Sequence, residues 1–272
     1  MRGGERTNTQ AMITMQPTIA VIACLGGFAS GLVGVGGAVI LIPLLLYVPP
    51  FVTGTDLGIH AVTALTAITV GAGSLMSAAG HARRGYLSGD IVRRVGLPMV
   101  LAAAAGGAAS SVLPPKTLLF VFAAMATMAF VLITASPKTT GAAVNDDPRS
   151  LHKSVGLGGG VGFSAGLVGA GGTFLLLPLM ERVLAVPFRQ AVASSVAIAF
   201  LTACASGLGK LVTAQVPLPL IVPAVLGTLA GAALGVRASH ALPIRGLRSI
   251  LGAVTLIVAL GSWADFFGIA GG

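Results

Sequence analysis

The chain has 272 residues, of which 55% are hydrophobic and 8% are charged, whereas a soluble domain carries about 25% charged residues. With a mean hydropathy of +0.97, this composition excludes a water-soluble protein and predicts an all-α polytopic membrane protein in the lipid bilayer. The net charge of +9 does not indicate a nucleic-acid partner, because the basic residues lie between apolar segments and are not interleaved with aromatic residues.

Apolar segments follow one another in the same order in two halves of the chain. After an N-terminal tail (1–16), we predict a first membrane repeat over 17–135, a polar cytoplasmic linker over 136–153 and a second repeat over 154–272. Each repeat is expected to hold a helix pair with a glycine-rich break, followed by three transmembrane helices. The predicted segments are 17–33, 38–48, 59–81, 92–112 and 117–135, then 154–168, 173–184, 188–209, 217–236 and 247–265.

An internal repeat supports this division. The stretch from Gly27 to Leu44 recurs as Gly162 to Leu179, and eleven of the 18 aligned positions are identical. Weaker similarity aligns the pair Gly80-His81 with Gly209-Lys210. Two homologous halves are typical of secondary transporters.

Positive charge favours inverted over parallel repeats. As a helix, 38–48 rises about 16 Å, or about half of a hydrocarbon core, so 17–48 either crosses once or turns back. Turning back places twelve of the 16 basic residues on one side, whereas a single crossing places ten there. Because cytoplasmic loops carry the excess of Lys and Arg, we predict inverted repeats with the linker inside and both termini outside.

The glycine-rich breaks are predicted anion sites. Glycines at this density permit a turn out of helical geometry, and the short helix after each break presents unpaired N–H groups and a positive dipole end. Two such helix starts would converge near the midplane and hold an anion, while the earlier glycines of each motif serve close helix packing. The predicted backbone ligands are Gly34, Gly36, Gly37 and Ala38, and Gly169, Gly171, Gly172 and Thr173.

Hydroxyl side chains within the apolar segments are the next candidate ligands. Thr63 and Thr66 in the first repeat, with Ser194 and Ser195 in the second, could donate to an oxyanion. The alternative for each is a hydrogen bond to a carbonyl of its own helix. Further hydroxyls in these segments belong to Thr69, Ser74, Thr202 and Ser206.

Three basic side chains could serve in charge or proton coupling. His60 and His81 lie at the two ends of one apolar segment, and Lys210 takes the place of His81 in the second repeat. Cations at this depth would attract an anion; the alternatives are interfacial histidines without function and a lysine that snorkels to water. No Asp or Glu lies well within an apolar segment, which counts against carboxylate relays and cation transport.

Other protein classes fit less well. Cys24 and Cys204 have no second Cys or His at ligand spacing, so we expect neither a metal nor another cofactor. The glycines lack the Lys-Ser/Thr ending and the preceding strand of a nucleotide loop. We expect no enzyme, because a serine hydrolase needs Ser and His at one depth, whereas His152 and His240 fall in predicted loops.

The doubled motif Gly-x-x-x-Gly-x-x-Gly-x-Gly-Gly, followed by Pro-Leu, resembles the sulfite exporter TauE/SafE family of membrane permeases. The resemblance covers nearly the whole chain and implies transport of small sulfur-containing anions such as sulfite, sulfonates or sulfoacetate. It also implies that the protein lies in the inner (plasma) membrane of the cell. We therefore predict a permease that moves such an anion by alternating access between the repeats. An anion channel and a membrane sensor or scaffold without transport stay open as alternatives, as do the direction, the coupling ion and a homodimer.

Overall fold

The structure is a computed structural model, and it describes residues 2–33, 37–82, 85–135, 148–184, 186–239 and 244–268. Regular structure in these ranges is helical, without strands, which confirms the all-α class. The helices are α1 (Arg2–Val33), α2 (Ala38–Thr53), α3 (Gly58–Ala82), α4 (Gly89–Ile91), α5 (Leu97–Ala109), α6 (Pro115–Thr134), α7 (Pro148–Val168), α8 (Thr173–Val183), α9 (Phe188–Val212), α10 (Leu218–Ser239) and α11 (Ile244–Phe266).

Seven of the described helices are long and apolar enough to cross a membrane, which confirms a multi-pass membrane protein. Shorter apolar helices form the rest of each broken pair, namely α2 and the part of α7 from Ser154 to Val168. Helix α1 begins at Arg2, so most of the predicted tail is helical, and α7 begins at Pro148, inside the predicted linker. The remainder of the linker, 136–147, lies outside the described residues.

Helices α4 and α5 form one membrane span, which a single wide turn interrupts. The π-helical turn Val92–Gly96 joins them, and the Leu97 N–H donates to the carbonyl of Arg93. Pro98 follows at the second position of α5, where its missing N–H removes one regular helical hydrogen bond. The membrane span is therefore Gly89–Ala109, which begins and ends three residues earlier than the predicted segment 92–112.

The first helix of each repeat packs against the fourth segment of the other repeat. Helix α1 lies on α10 so closely that a Cβ at Gly27 or Gly31 would overlap the carbonyl of Thr228 or Ala232. Helix α7 lies on α5 in the same way, with Gly162 against the backbone of Met99. Small residues allow such approach of helix backbones in a membrane, so the predicted packing role of the early glycines is confirmed.

Equivalent helices of the two repeats cross in opposite directions. Along the contact between α3 and α9, Gly71 lies against Ala203, whereas Gly207 lies against Ala67. Helices α6 and α11 also run antiparallel: the Phe120 ring meets the Trp263 ring at 5.7 Å at one end, and at the other Gly252 faces Ile133. Because equivalent helices of inverted repeats run in opposite directions, this packing supports the arrangement predicted from charge.

Candidate functional site

The break in the second repeat is a left-handed glycine turn between α7 and α8. Gly169, Gly171 and Gly172 have φ angles of 72°, 62° and 72°, a conformation that residues with a Cβ rarely adopt. A Cβ at Gly169 would also overlap the carbonyl oxygen of Thr63 in α3. Helix α8 begins here with Gly172 as its N-cap, so its positive dipole end points into the turn. The predicted interruption of the helix is confirmed in this repeat.

Three polar side chains of α9 bind the carbonyl groups at the end of α7. Thr202 Oγ1 lies 3.0 Å from the Gly171 carbonyl oxygen, and Ser206 Oγ donates to the Gly166 carbonyl at 2.9 Å. Lys210 Nζ donates to the Leu167 carbonyl at 2.9 Å. The three side chains are four residues apart, so they lie on one face of α9. They replace helical hydrogen bonds that the break removes.

Lys210 is the centre of this polar cluster. The side chain is fully buried, and Nζ also donates to Thr63 Oγ1 at 3.1 Å and to Ser110 Oγ at 2.7 Å. All three acceptors of the ammonium are neutral, and two of them belong to the first repeat. Burying a cation without a negative partner costs free energy. The alternative that Lys210 snorkels to water is therefore wrong, since the side chain binds inside the protein.

A hydrogen-bonded path leads from Lys210 towards the loop that follows α9. Ser110 Oγ, which accepts from Lys210, lies 3.1 Å from Gln215 Oε1. Gln215 Nε2 in turn lies 2.6 Å from Thr213 Oγ1, and both of these side chains are partly exposed. The cluster thus connects the buried ammonium with the edge of the protein at the C-terminal end of α9.

The other predicted hydroxyls do not join this cluster. Thr66 Oγ1 donates to the Val62 carbonyl at 2.7 Å, and Ser195 Oγ to the Val192 carbonyl at 3.0 Å. For both hydroxyls the alternative of a bond within their own helix is therefore correct. Ser194 Oγ accepts from the backbone N–H of Ser88 at 3.3 Å, in the segment before α4.

Thr63 and Ser194 cannot hold one small anion together, which corrects the prediction of a single shared site. Helices α3 and α9 are antiparallel, and Ala67 lies against Gly207. From this contact Thr63 is four residues towards one membrane face, whereas Ser194 is thirteen residues towards the other. At 1.5 Å per residue the two positions are about 25 Å apart along the helix pair.

The break in the first repeat is described from Gly37 onwards, so the predicted ligands Gly34 and Gly36 lie outside the described residues. Gly37 has a φ of 68° and is the N-cap of α2, which begins at the buried Ala38. A Cβ at Gly37 would lie 3.3 Å from the Cβ of Ser30 in α1. The left-handed N-cap and the helix start therefore match Gly172 and the start of α8 in the second break.

Buried groups near the first break include hydroxyls without a hydrogen-bond partner among the described residues. These are the hydroxyls of Ser30, Ser74 and Ser77. His60 Nδ1, near the start of α3, also has no hydrogen-bond partner among the described residues. His81 belongs to α3, and its side chain lies outside the described set. Sequence reasoning missed Ser30, Ser77 and Ser110. The available signal was the alignment, which places Ser77 opposite Ser206.

Glu181 corrects the expectation that no carboxylate lies within an apolar segment. It lies in α8, and its side chain is 7% exposed. Its neighbours around a small cleft include Leu132, Phe188 and Leu251. Glu181 is eight residues beyond the start of α8, about 12 Å along the helix axis, so it is separate from the Lys210 cluster.

Comparison with known proteins identifies the family. The sequence model described as "Sulfite exporter TauE/SafE" matches residues 19–262. The "Probable membrane transporter protein" of Xylella fastidiosa (strain Temecula1 / ATCC 700964) is 29% identical over 266 residues, covering 93% of this chain and 99% of the relative. The protein of the same name from strain 9a5c matches to the same extent.

A third relative matches over a shorter region. The "Probable membrane transporter protein MamO" of Magnetospirillum gryphiswaldense is 28% identical over 141 residues, covering 49% of this chain and 22% of the relative. No solved structure matches the chain. The family model covers both helix breaks, the Lys210 cluster and all or most of each of the seven candidate membrane spans in the described residues. The chain therefore belongs to the sulfite exporter TauE/SafE family of multi-pass membrane transporters.

Proposed function

We propose that the protein carries a small sulfur-containing anion, such as sulfite, a sulfonate or sulfoacetate, across the plasma membrane by alternating access between the two repeats. The observation that carries this proposal is the fully buried ammonium of Lys210, whose three acceptors are neutral. A charge at this depth in a membrane protein indicates a functional site. An anionic substrate supplies the negative charge that the cluster lacks.

The start of α8 adds to the attraction for an anion. Helix α8 has eleven residues and begins at the glycine turn, and the carbonyl of Leu167, just before this turn, accepts from Lys210. The positive end of the α8 dipole and the ammonium therefore both raise the electrostatic potential around the glycine turn. The low dielectric of the protein interior strengthens their attraction for an anion. A sulfite or sulfonate oxygen is a strong acceptor for such donors.

Anion binding at Lys210 would weaken hydrogen bonds that join the two repeats. The ammonium has three donors, and two of them reach Thr63 and Ser110 of the first repeat. A substrate oxygen that takes one of these donors releases a hydrogen bond between the repeats. Anion binding thereby loosens the interface across which one repeat rocks against the other.

The antiparallel crossing of α3 and α9, together with the charge bias, supports inverted repeats for this motion. In such transporters each repeat takes the conformation of the other when the access changes sides. His60 and His81 remain proposals for charge or proton coupling, because the alignment of His81 with Lys210 is the argument for a cation at both places.

Uptake into proteoliposomes tests the proposal. The purified protein would be reconstituted and offered labelled sulfite, thiosulfate, taurine, sulfoacetate and, as a comparison, acetate. We expect uptake of at least one sulfur anion that saturates and is accelerated by unlabelled substrate trapped inside. Uptake that rises linearly without such acceleration would indicate a channel, and uptake no faster than in protein-free vesicles would reject transport.

A further inference from the structure

The two helix breaks have different polar surroundings. In the second repeat, Thr202, Ser206 and Lys210 bind the carbonyls at the break. The alignment that pairs Gly80-His81 with Gly209-Lys210 places Gly73, Ser77 and His81 at the equivalent positions of α3. Gly73 has no side chain, and the Ser77 hydroxyl has no hydrogen-bond partner among the described residues.

Two more buried hydroxyls occur in the first repeat only. Ser30 and Ser74 are at most 1% exposed, and in the described part of the chain their hydroxyls are unpaired too. The second repeat has Ala165 and Ala203 at the equivalent positions. Burying a hydroxyl costs free energy unless a partner completes its hydrogen bond. Within the described residues these serine hydroxyls therefore contribute no stabilising hydrogen bond, and an alanine at each position would pack equally well.

Ser30 lies beside the start of α2, and α3 passes Ser30 at Gly73. A Cβ at Gly73 would be 3.4 Å from Ser30 Oγ, so the end of α1 touches α3 beside Ser74. Ser77 follows three residues later and lies on the same side of α3 as Ser74. Ser30 also lies against Gly37, the N-cap of the sixteen-residue helix α2.

The surrounding charges favour an anion over a cation at this place. No Asp or Glu occurs in residues 15–33, in α2, in α3 or in α10, the helices that meet here. The positive dipole end of α2 repels a cation and attracts an anion. A serine hydroxyl can donate its proton to an oxyanion, and the three hydroxyls have no acceptor within the described ranges of the chain.

We propose that Ser30, Ser74 and Ser77 form a second binding position for the transported oxyanion, in the first repeat. The inference rests on the proposed transport function. Ser74 and Ser77 lie eleven and fourteen residues beyond Thr63 on α3, about 16 to 21 Å from the Lys210 cluster along the helix axis. The anion thus has one position near each end of α3, and α3 marks its path between the membrane faces.

Serine-to-alanine variants test this proposal through two opposite readouts. In Ser30→Ala/Ser74→Ala/Ser77→Ala we expect the KM for uptake of the sulfur anion to rise about tenfold or more. The melting temperature should stay the same or rise, because the variant removes buried hydroxyls that have no partner. Single Ser77→Ala should show the same pattern to a smaller degree.

The matched control is Ser206→Ala, the equivalent of Ser77 in the second repeat. Its hydroxyl binds the Gly166 carbonyl, so we expect a lower melting temperature for this variant. A wild-type KM in the triple variant would overturn the proposal, and so would a fall in melting temperature as large as that of Ser206→Ala, since the latter would indicate protein partners for the hydroxyls.

A binding measurement separates this inference from the transport function. If the wild-type protein moves no sulfur anion, transport itself is rejected, and sulfite-induced stabilisation still reports on the serines. A thermal shift with sulfite that is smaller in the triple variant than in the wild-type protein supports the second position, because the triple variant keeps the Lys210 cluster. Equal shifts in both proteins overturn it.

Discussion

Lys210 makes contacts that neither repeat could provide alone. Its acceptors Thr63 and Ser110 belong to the first repeat, and the ammonium itself belongs to the second. A lysine in this environment is costly to bury, so its presence is better explained by ligand attraction than by stability.

Replacing Lys210 with Met should therefore separate transport from stability. Met has a similar length and no charge, so Lys210→Met removes the cost of burying the ammonium but leaves the Leu167 carbonyl without its donor. Because these two effects oppose each other, we expect a melting temperature close to that of the wild-type protein. The initial rate of uptake of the sulfur anion should fall at least tenfold, because the loss of about one hydrogen bond to a charged group has an effect of this size.

The control for this variant is Lys116→Met. Lys116 is exposed at the start of α6, and its replacement should leave both the melting temperature and the uptake rate unchanged. Normal uptake by Lys210→Met, measured at the same protein density in the vesicles, would contradict a role for the buried ammonium in transport.

At the residue scale the sequence indicated which groups are unusual but not which of them meet. Lys210 and Thr63 were both predicted site residues, yet they are 147 positions apart, and only the antiparallel crossing of α3 and α9 brings them together. The same crossing separates Thr63 from Ser194. Ser110 was missed although it lies in the predicted segment 92–112, because it is two residues from the end of that segment, where a hydroxyl ordinarily faces water or caps a turn.

At the element scale, the glycine break is the feature that the sequence predicted best. A dense glycine cluster before an apolar segment too short to cross the membrane requires a turn, and the structure has that turn between α7 and α8. The end of α2 was predicted less well. The sequence placed it at 48, before Pro49-Pro50, but the helix continues to Thr53, where Thr53 Oγ1 donates to the Pro49 carbonyl at 2.8 Å.

Replacing Gly169 with Ala tests the break as a structural element. The left-handed φ of 72° costs a non-glycine residue about 1–3 kcal/mol, and overlap with the Thr63 carbonyl adds to this cost. We expect a clear fall in melting temperature in detergent and loss of uptake.

Gly160→Ala is the matched control in the same helix pair. Gly160 lies in the interior of α7, and nothing would lie within 4 Å of its added Cβ, so alanine should stabilise the helix by about 0.5–1 kcal/mol. Equal melting temperatures for Gly160→Ala and Gly169→Ala would show that the turn has no special conformational requirement.

At the scale of the whole molecule, opposite helix directions fix which ends of the repeats share a membrane face. Ala82 and Val212 are the last residues of the equivalent helices α3 and α9, and both are exposed. Inverted repeats place them on opposite faces, with Ala82 on the cytoplasmic side next to Arg83 and Arg84. The charge bias of the sequence predicts this topology, whereas the partners of each helix needed the packed structure.

Thiol labelling in intact cells checks this topology. In a background with Cys24→Ala and Cys204→Ala, a membrane-impermeant maleimide should label Val212→Cys at once and Ala82→Cys only after the cells are opened. Labelling of both variants from the same side would support parallel repeats and reject the inverted arrangement.

The exchange of partners, α1 on α10 and α7 on α5, has a consequence for the ancestry of the chain. In this structure the glycines Gly27, Gly31 and Gly162 of the two first helices are buried against the backbone of the other repeat. If the chain arose by gene duplication, its one-repeat ancestor had to pair with a second copy inserted upside down in the same bilayer. Such an ancestor had to insert into the membrane in both orientations, which a strong bias of basic residues towards one face would prevent. That bias therefore became compatible with assembly only after the two copies were fused into one chain.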